Sequence, residues 1–118
     1  MITSLDKNTA LILIDLQKGI VQYSLAHPIK DVLTNSALLV KAFRKAGLPI
    51  VVVNVNPAGA AWTKARKEPA PASSTPFKED WLEITPEIET ESGDIFITKT
   101  TWSAFYNTQL DEELKKRG

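Results

Sequence analysis

Residues 9–14 read TALILI and residues 49–55 read PIVVVNV. Both runs are short, partly β-branched and mainly apolar at consecutive positions. Neither alternates between an apolar and a polar face, so both predict strands buried on two sides, as in a parallel sheet. Between them the period changes. Ile29, Val32, Leu33, Ala37, Val40 and Phe43 recur at spacings of three and four, which predicts an amphipathic helix over 29–46. Lys41, Arg44 and Lys45 crowd its last turn, where cations suit the helix dipole, and Gly47 suits the position just past its end. Gly93 signals a turn, and DIFIT at 94–98 is a third strand that ends at Lys99. Residues 81–89 predict a short helix with Trp81, Leu82, Ile84 and Ile88 as its apolar members. The last stretch, TQLDEELKKRG at 108–118, predicts another helix. Thr108 suits its cap, Asp111 takes the capping-box place, and Gly118 suits the exit.

Strand, helix, strand, loop, strand, helix is an α/β pattern: a parallel sheet flanked by helices, in three layers. Residues 1–118 are read as one domain, with no repeat and no second boundary. Residues 56–80 hold four of the seven prolines and read as a long loop, functional or mobile, because strands of one character flank it. The ending ELKKRG matches the helix exit FRKAG, after which a strand follows. The expectation is a domain whose carboxy-terminal part lies beyond Gly118, since three parallel strands leave a long unpaired edge.

Fourteen basic residues balance fourteen acidic ones. A neutral chain is a poor non-specific binder of nucleic acid or of an anionic membrane, since both need clustered positive charge. No apolar run approaches a bilayer span, and MITSLDKN has no basic region leading into an apolar one, so a soluble cytoplasmic protein is the default. The absence of cysteine excludes disulfides, thiolate metal sites and thiol chemistry within these residues. Neither GxGxxG nor GxxxxGK[ST] is present, so a flavodoxin-like nucleotide-binding reading lacks its phosphate motif, and no cofactor is implied.

Ligands of open parallel sheets gather beyond the carboxyl ends of the strands. Asp15 closes the first strand and Lys99 the third, and right-handed crossovers put both at that edge. Asp15 can act there as a general base, with Lys99 as electrostatic partner. On spacing alone the plainer reading is a solvated pair worth roughly 0–1 kcal/mol.

The runs LILIDLQ, with Asp15 and Gln17, and DIFITKTTWSAFYNTQL, with Lys99, Ser103, Ala104, Phe105 and Thr108, resemble the isochorismatase-like, or cysteine, hydrolases. The likeness extends from about residue 9 to the end, and its Lys-x-x-x-Ser-Ala-Phe motif is the more specific part. The resemblance implies a doubly wound parallel sheet and an Asp–Lys–Cys triad acting on a small amide or related C–N substrate. Asp15 would activate the thiol, and Lys99 would favour the thiolate. Backbone N–H groups near the nucleophile would hold the oxyanion. The cysteine is expected after the strand that follows Gly118, so the 118-residue chain alone is expected to be inactive. Two further departures stand out. Lys18 and Gly19 occupy places where many relatives have Asn-Asp. Residues 54–80 lack the His residues of the metal-binding nicotinamidase-type members, so no metal is expected.

Gln17 reads either as a hydrogen-bonding contact at the site mouth or as a turn residue. Trp62 reads as a lid over an apolar ligand or as a packing anchor, with the anchor slightly favoured. Lys64, Arg66 and Lys67 read as a solvated face, with recognition of a substrate carboxylate as the alternative. Trp102 is left open between substrate contact and partial exposure, Tyr106 is expected to be partly exposed, and Phe105 is expected in the core. His27, the sole histidine, reads as a surface loop residue. Expected partners are a small-molecule substrate and either a second copy of the chain or the segment beyond Gly118. The alternative of a different class is a non-catalytic interaction module pairing through the open edge of the first strand.

Overall fold

Five of the six residues in Ile50–Val55 are apolar, and they form β2, the middle strand of a three-stranded sheet in the computed structural model. The structure describes residue 4, residues 6–59 and residues 77–118. β1 (Leu11–Ile14) and β3 (Ile95–Lys99) flank β2, both parallel to it. Leu13 pairs with Val52 and Val52 with Phe96; Ile14 pairs with Val53 and Val53 with Ile97.

Alternation along the strands divides the core. Leu13, Ile50 and Val52 face one side, where Val40 and Phe43 of α2 (Ile29–Lys45) pack on them. Val51, Val53, Ile95 and Ile97 face the other, under Ala104 and under Leu110 of α3 (Leu110–Lys116). A helix on each face gives the three layers expected. Each helix spans only part of the sheet: α2 lies over β1 and β2, and α3 lies against β3. One large apolar strand residue on each face is therefore left half-exposed, Phe96 beside α2 and Ile14 beside α3. The strand TALILI is consequently not buried on both faces as its composition suggests. It is the border strand of the sheet, and only Leu13 is fully inside.

The exit of α2 follows its sequence closely. Gly47 takes φ 67°, its N–H donates to Arg44 C=O at 3.1 Å, and the Leu48 N–H donates to Phe43 C=O at 3.0 Å. These are the two bonds of a Schellman motif, and the left-handed residue between them is cheapest as glycine. Val32, expected on the buried face, is instead exposed. α3 starts at Leu110, later than expected. The Thr108 hydroxyl accepts from Leu110 N–H at 3.3 Å and donates to Ala104 C=O. Asp111 pairs with Lys115 at 2.6 Å, four residues on, so the capping box is not formed.

Residues 81–89 form no helix. Pro86 lacks an N–H, and the neighbouring backbone groups are engaged by another segment. Lys18 N–H donates to Glu83 C=O at 2.8 Å, Gly19 N–H to Trp81 C=O at 3.1 Å, and Thr85 N–H to Leu16 C=O at 3.0 Å. Gln17 and Ile84 form an isolated antiparallel bridge. The apolar members behave as expected even so: Trp81 and Ile88 are buried. A single turn, α1 (Lys18–Val21), follows the bridge and has no clear signal in the sequence. No helix among the described residues is long and apolar enough to cross a membrane.

Candidate active site

Parallel strands deliver their carboxyl ends to one edge, and there Asp15 and Lys99 meet. Their strands are not neighbours; β2 lies between, and the contact passes across its end. Asp15 N–H donates to Val53 C=O at 2.9 Å, the last bond of the ladder. Its φ is 62°, in the left-handed region. An aspartate tolerates that conformation at a cost of about 1 kcal/mol, and such residues cluster at functional sites.

The Asp15 carboxylate Oδ2 lies 3.3 Å from Lys99 Nζ. Lys99 is 4% exposed, which is rare for an ammonium unless it is paired. Its second contact is the Trp102 carbonyl, to which Nζ donates at 3.4 Å. Asp15 Oδ1 is enclosed and accepts no hydrogen bond among the described residues. The arrangement is a buried cation balanced by a carboxylate with an acceptor atom to spare. It can take a proton from a donor brought to Oδ1 while Lys99 stabilises negative charge nearby.

Gln17 is fully buried. Its Oε1 accepts from Val55 N–H at 2.8 Å, and its Nε2 donates to Val55 C=O and Trp81 C=O, both at 3.2 Å. An amide with no exposed surface and three protein partners has no face to offer a substrate. Gln17, read either as a contact at the site mouth or as a turn residue, ties the end of β2 to the segment 78–88 through its buried amide. Trp102 stands mostly exposed, and Lys99 Nζ donates to its backbone carbonyl. Phe105 is half-exposed rather than core; the core residue of this stretch is Ala104, seated beside Leu110, and the turn that places it there leaves Phe105 outside. Tyr106 and His27 are exposed, in line with expectation. Trp62, Lys64, Arg66 and Lys67 lie outside the described residues.

Two contributors escaped the sequence reading. Asn54 Nδ2 donates to Leu82 C=O at 2.9 Å, and Thr98 Oγ1 donates to Asn54 Oδ1 at 2.7 Å. An asparagine inside the run VVVNV was the available signal, since a polar group there needs a partner. The Lys18–Gly19 departure also acquires a cause. A Cβ on residue 19 would fall inside the indole of Trp81. Lys18 bonds Glu83 at 2.5 Å and approaches Asp80 at 3.7 Å, and the Glu83 hydrogen bond raises its pKa. Two cavities lie away from this edge, one of about 430 Å³ beside Arg44 and one of about 670 Å³ along α2.

The Isochorismatase domain family matches residues 9–118. The "Uncharacterized isochorismatase family protein YwoC" of Bacillus subtilis (strain 168) is 40% identical over 114 residues, covering 95% of this chain and 59% of that protein. An isochorismatase family protein from Burkholderia thailandensis superposes with a TM-score of 0.81 at 32% identity, over 98% of this chain and 62% of the other. N-carbamoylsarcosine amidase from Thermoplasma acidophilum superposes with a TM-score of 0.70 at 27% identity, over 92% of this chain and 61% of the other. The chain thus spans about three-fifths of the length of these relatives. Over that span, the chain belongs to the isochorismatase family.

Proposed function

We propose that the chain supplies the acid–base half of a hydrolase acting on small amide or related C–N substrates. The observation that carries this reading is the Asp15–Lys99 contact at 3.3 Å, with Oδ1 of the same carboxylate enclosed and unpartnered. The similarity to an amidase supports the bond type. The nucleophile in this reading is a thiol carried by a segment beyond Gly118. Asp15 takes the thiol proton, and the thiolate attacks the carbonyl carbon of the substrate. The C–N bond breaks as Asp15 returns that proton to the departing nitrogen. Water then attacks the thioester, losing its proton to Asp15, and the thiol is regenerated. Lys99 holds Asp15 in place and favours the thiolate by its charge.

The test is a chain extended beyond Gly118 to the length of its relatives, assayed on N-carbamoylsarcosine and a panel of simple amides. Asp15→Asn is expected to cut kcat by about 10²–10⁴ and to cost some stability, since it leaves the buried Lys99 ammonium without its counter-charge. Lys99→Met is expected to do the same with some loss of stability, since it removes the partner of a carboxylate. Full turnover by Asp15→Asn would remove this residue from the mechanism. No turnover of any amide by the extended chain would remove the activity itself.

A further inference from the structure

We infer that Gln17 is a positioning residue whose buried amide sets the separation of Asp15 and Lys99 by tying the ends of β1 and β2 to the segment 78–88. The inference rests on the reading of Asp15 and Lys99 as the working pair.

Among the described residues the Asp15 carboxylate pairs with Lys99, so its place depends on that contact and on the backbones that carry the two side chains. The Asp15 backbone is in the left-handed region and must be held from both sides. On the amino-terminal side the Val53 carbonyl holds it. On the carboxyl-terminal side the first fixed point is Gln17. Its amide bonds both the N–H and the C=O of Val55. Val55 is the register partner of Lys99, and Asn56 N–H donates to Lys99 C=O at 2.9 Å. A short mechanical path therefore links the two working residues: Asp15 to Gln17 along the chain, Gln17 to Val55 through the amide, Val55 to Lys99 across the ladder.

The third amide bond, to Trp81 C=O, adds the segment 78–88 to the same point. Backbone bonds from Lys18, Gly19 and Thr85 run alongside it. Replacing the amide by an apolar group of similar shape leaves the Val55 N–H and the Trp81 carbonyl enclosed without that partner, a costly state that the edge can relieve only by opening. Two other roles make different demands. A substrate contact requires an exposed amide, and this one is fully buried. A simple core filler would affect the whole fold evenly.

The experiment compares the chain with Gln17→Met, which keeps the length without the amide, and Gln17→Asn, which keeps the amide one methylene shorter. Residue-resolved hydrogen exchange is read at Val55, Lys18, Gly19 and Thr85, with Val40 and Phe43 of α2 as internal reference. In parallel, Lys99 is labelled with acetic anhydride and its rate is taken relative to exposed Lys30. Gln17→Met is expected to speed exchange at the four edge amides and labelling of Lys99 by roughly tenfold, with α2 unchanged. Gln17→Asn is expected to give a smaller change of the same pattern. Uniform acceleration of edge and α2 amides would overturn the inference in favour of a filler, and no change would overturn it outright. In the extended chain, positioning predicts a fall in kcat at constant KM on N-carbamoylsarcosine. A rise in KM at constant kcat would make Gln17 a substrate contact instead. If the extended chain hydrolyses nothing, the reading of the pair fails, while the exchange and labelling results still decide what Gln17 does.

Discussion

Gly19 has no room for a side chain. The Trp81 ring occupies the space its side chain would need, and the Trp81 backbone is tied there by Gly19 N–H donating to Trp81 C=O. Gly19→Ala is therefore expected to destabilise the chain by about 1–3 kcal/mol, the usual cost of overpacking. Trp81→Ala removes the Cγ, Cδ1 and Cδ2 atoms that a side chain at residue 19 would meet, so the double variant should lose less than the sum of the two. Denaturant titration of the four proteins checks this; strict additivity would mean that the two residues do not share the space. The same locality explains what was readable at the candidate site. Asp15 and Lys99 were legible because each stands directly after an apolar run, and parallel strands put such residues at one edge. The role of Gln17 was not legible. Two of its bonding partners lie 38 and 64 positions away, and nothing within a few residues of Gln17 announces them.

The elements are joined at the opposite edge by one charged clamp. Arg44, in the last turn of α2, bonds both oxygens of Asp94, at 2.9 and 3.1 Å, just before β3. Its guanidinium also reaches Glu91 at 3.0 Å and donates to Glu89 C=O at 2.9 Å. Burial pushes the Asp94 carboxyl up, but the Arg44 hydrogen bonds, the Glu91 N–H and the two nearby arginine charges outweigh it and hold it below its ordinary value. The unfolded chain then binds this proton more readily than the folded one. The stability from this carboxylate is complete above its ordinary value of 3.8 and is lost as pH falls through the lower folded value. Asp94→Asn should cost about 2 kcal/mol at neutral pH and flatten the acid limb of the stability curve, measured by urea titration from pH 2 to 7. An acid limb unchanged by the substitution would place its origin in other carboxylates. α2 was legible from its three-and-four spacing, β2 from its nearly unbroken apolar run, and the α2 exit because Gly47 supplies a left-handed residue. Residues 81–89 misled because the spacing of Trp81, Leu82, Ile84 and Ile88 mimics a helix. Burial of Trp81 and Ile88 is achieved instead by turns hydrogen-bonded to residues 16–19.

The faces taken by α2 and α3 also carry an expectation for where a further strand would pair. α2 connects β1 to β2 across one face, and Ile88, on the connection from β2 to β3, packs on that same face. Both steps move across the sheet in one direction. α3 follows β3 but lies on the other face. Parallel crossovers share one hand, so a connection on the opposite face must run in the opposite direction. The strand after α3 is then carried back past β3 and β2 to the free edge of β1. That edge is where Ile14 stands half-exposed on the side of α3, in want of cover. The same placement makes the end of β1 the point at which strand order reverses, the position where ligands bind in open parallel sheets, and Asp15 stands there. In a chain extended to the length of its relatives, the next strand is expected to pair in parallel with Leu11–Ile14, protect amides of β1 from exchange and bury Ile14. An exchange map of the extended chain against the 118-residue chain reads this directly. Protection appearing instead along the outer edge of β3, with Ile14 still exposed, would reverse the hand of the crossover and move the candidate site away from the place where the sheet changes direction.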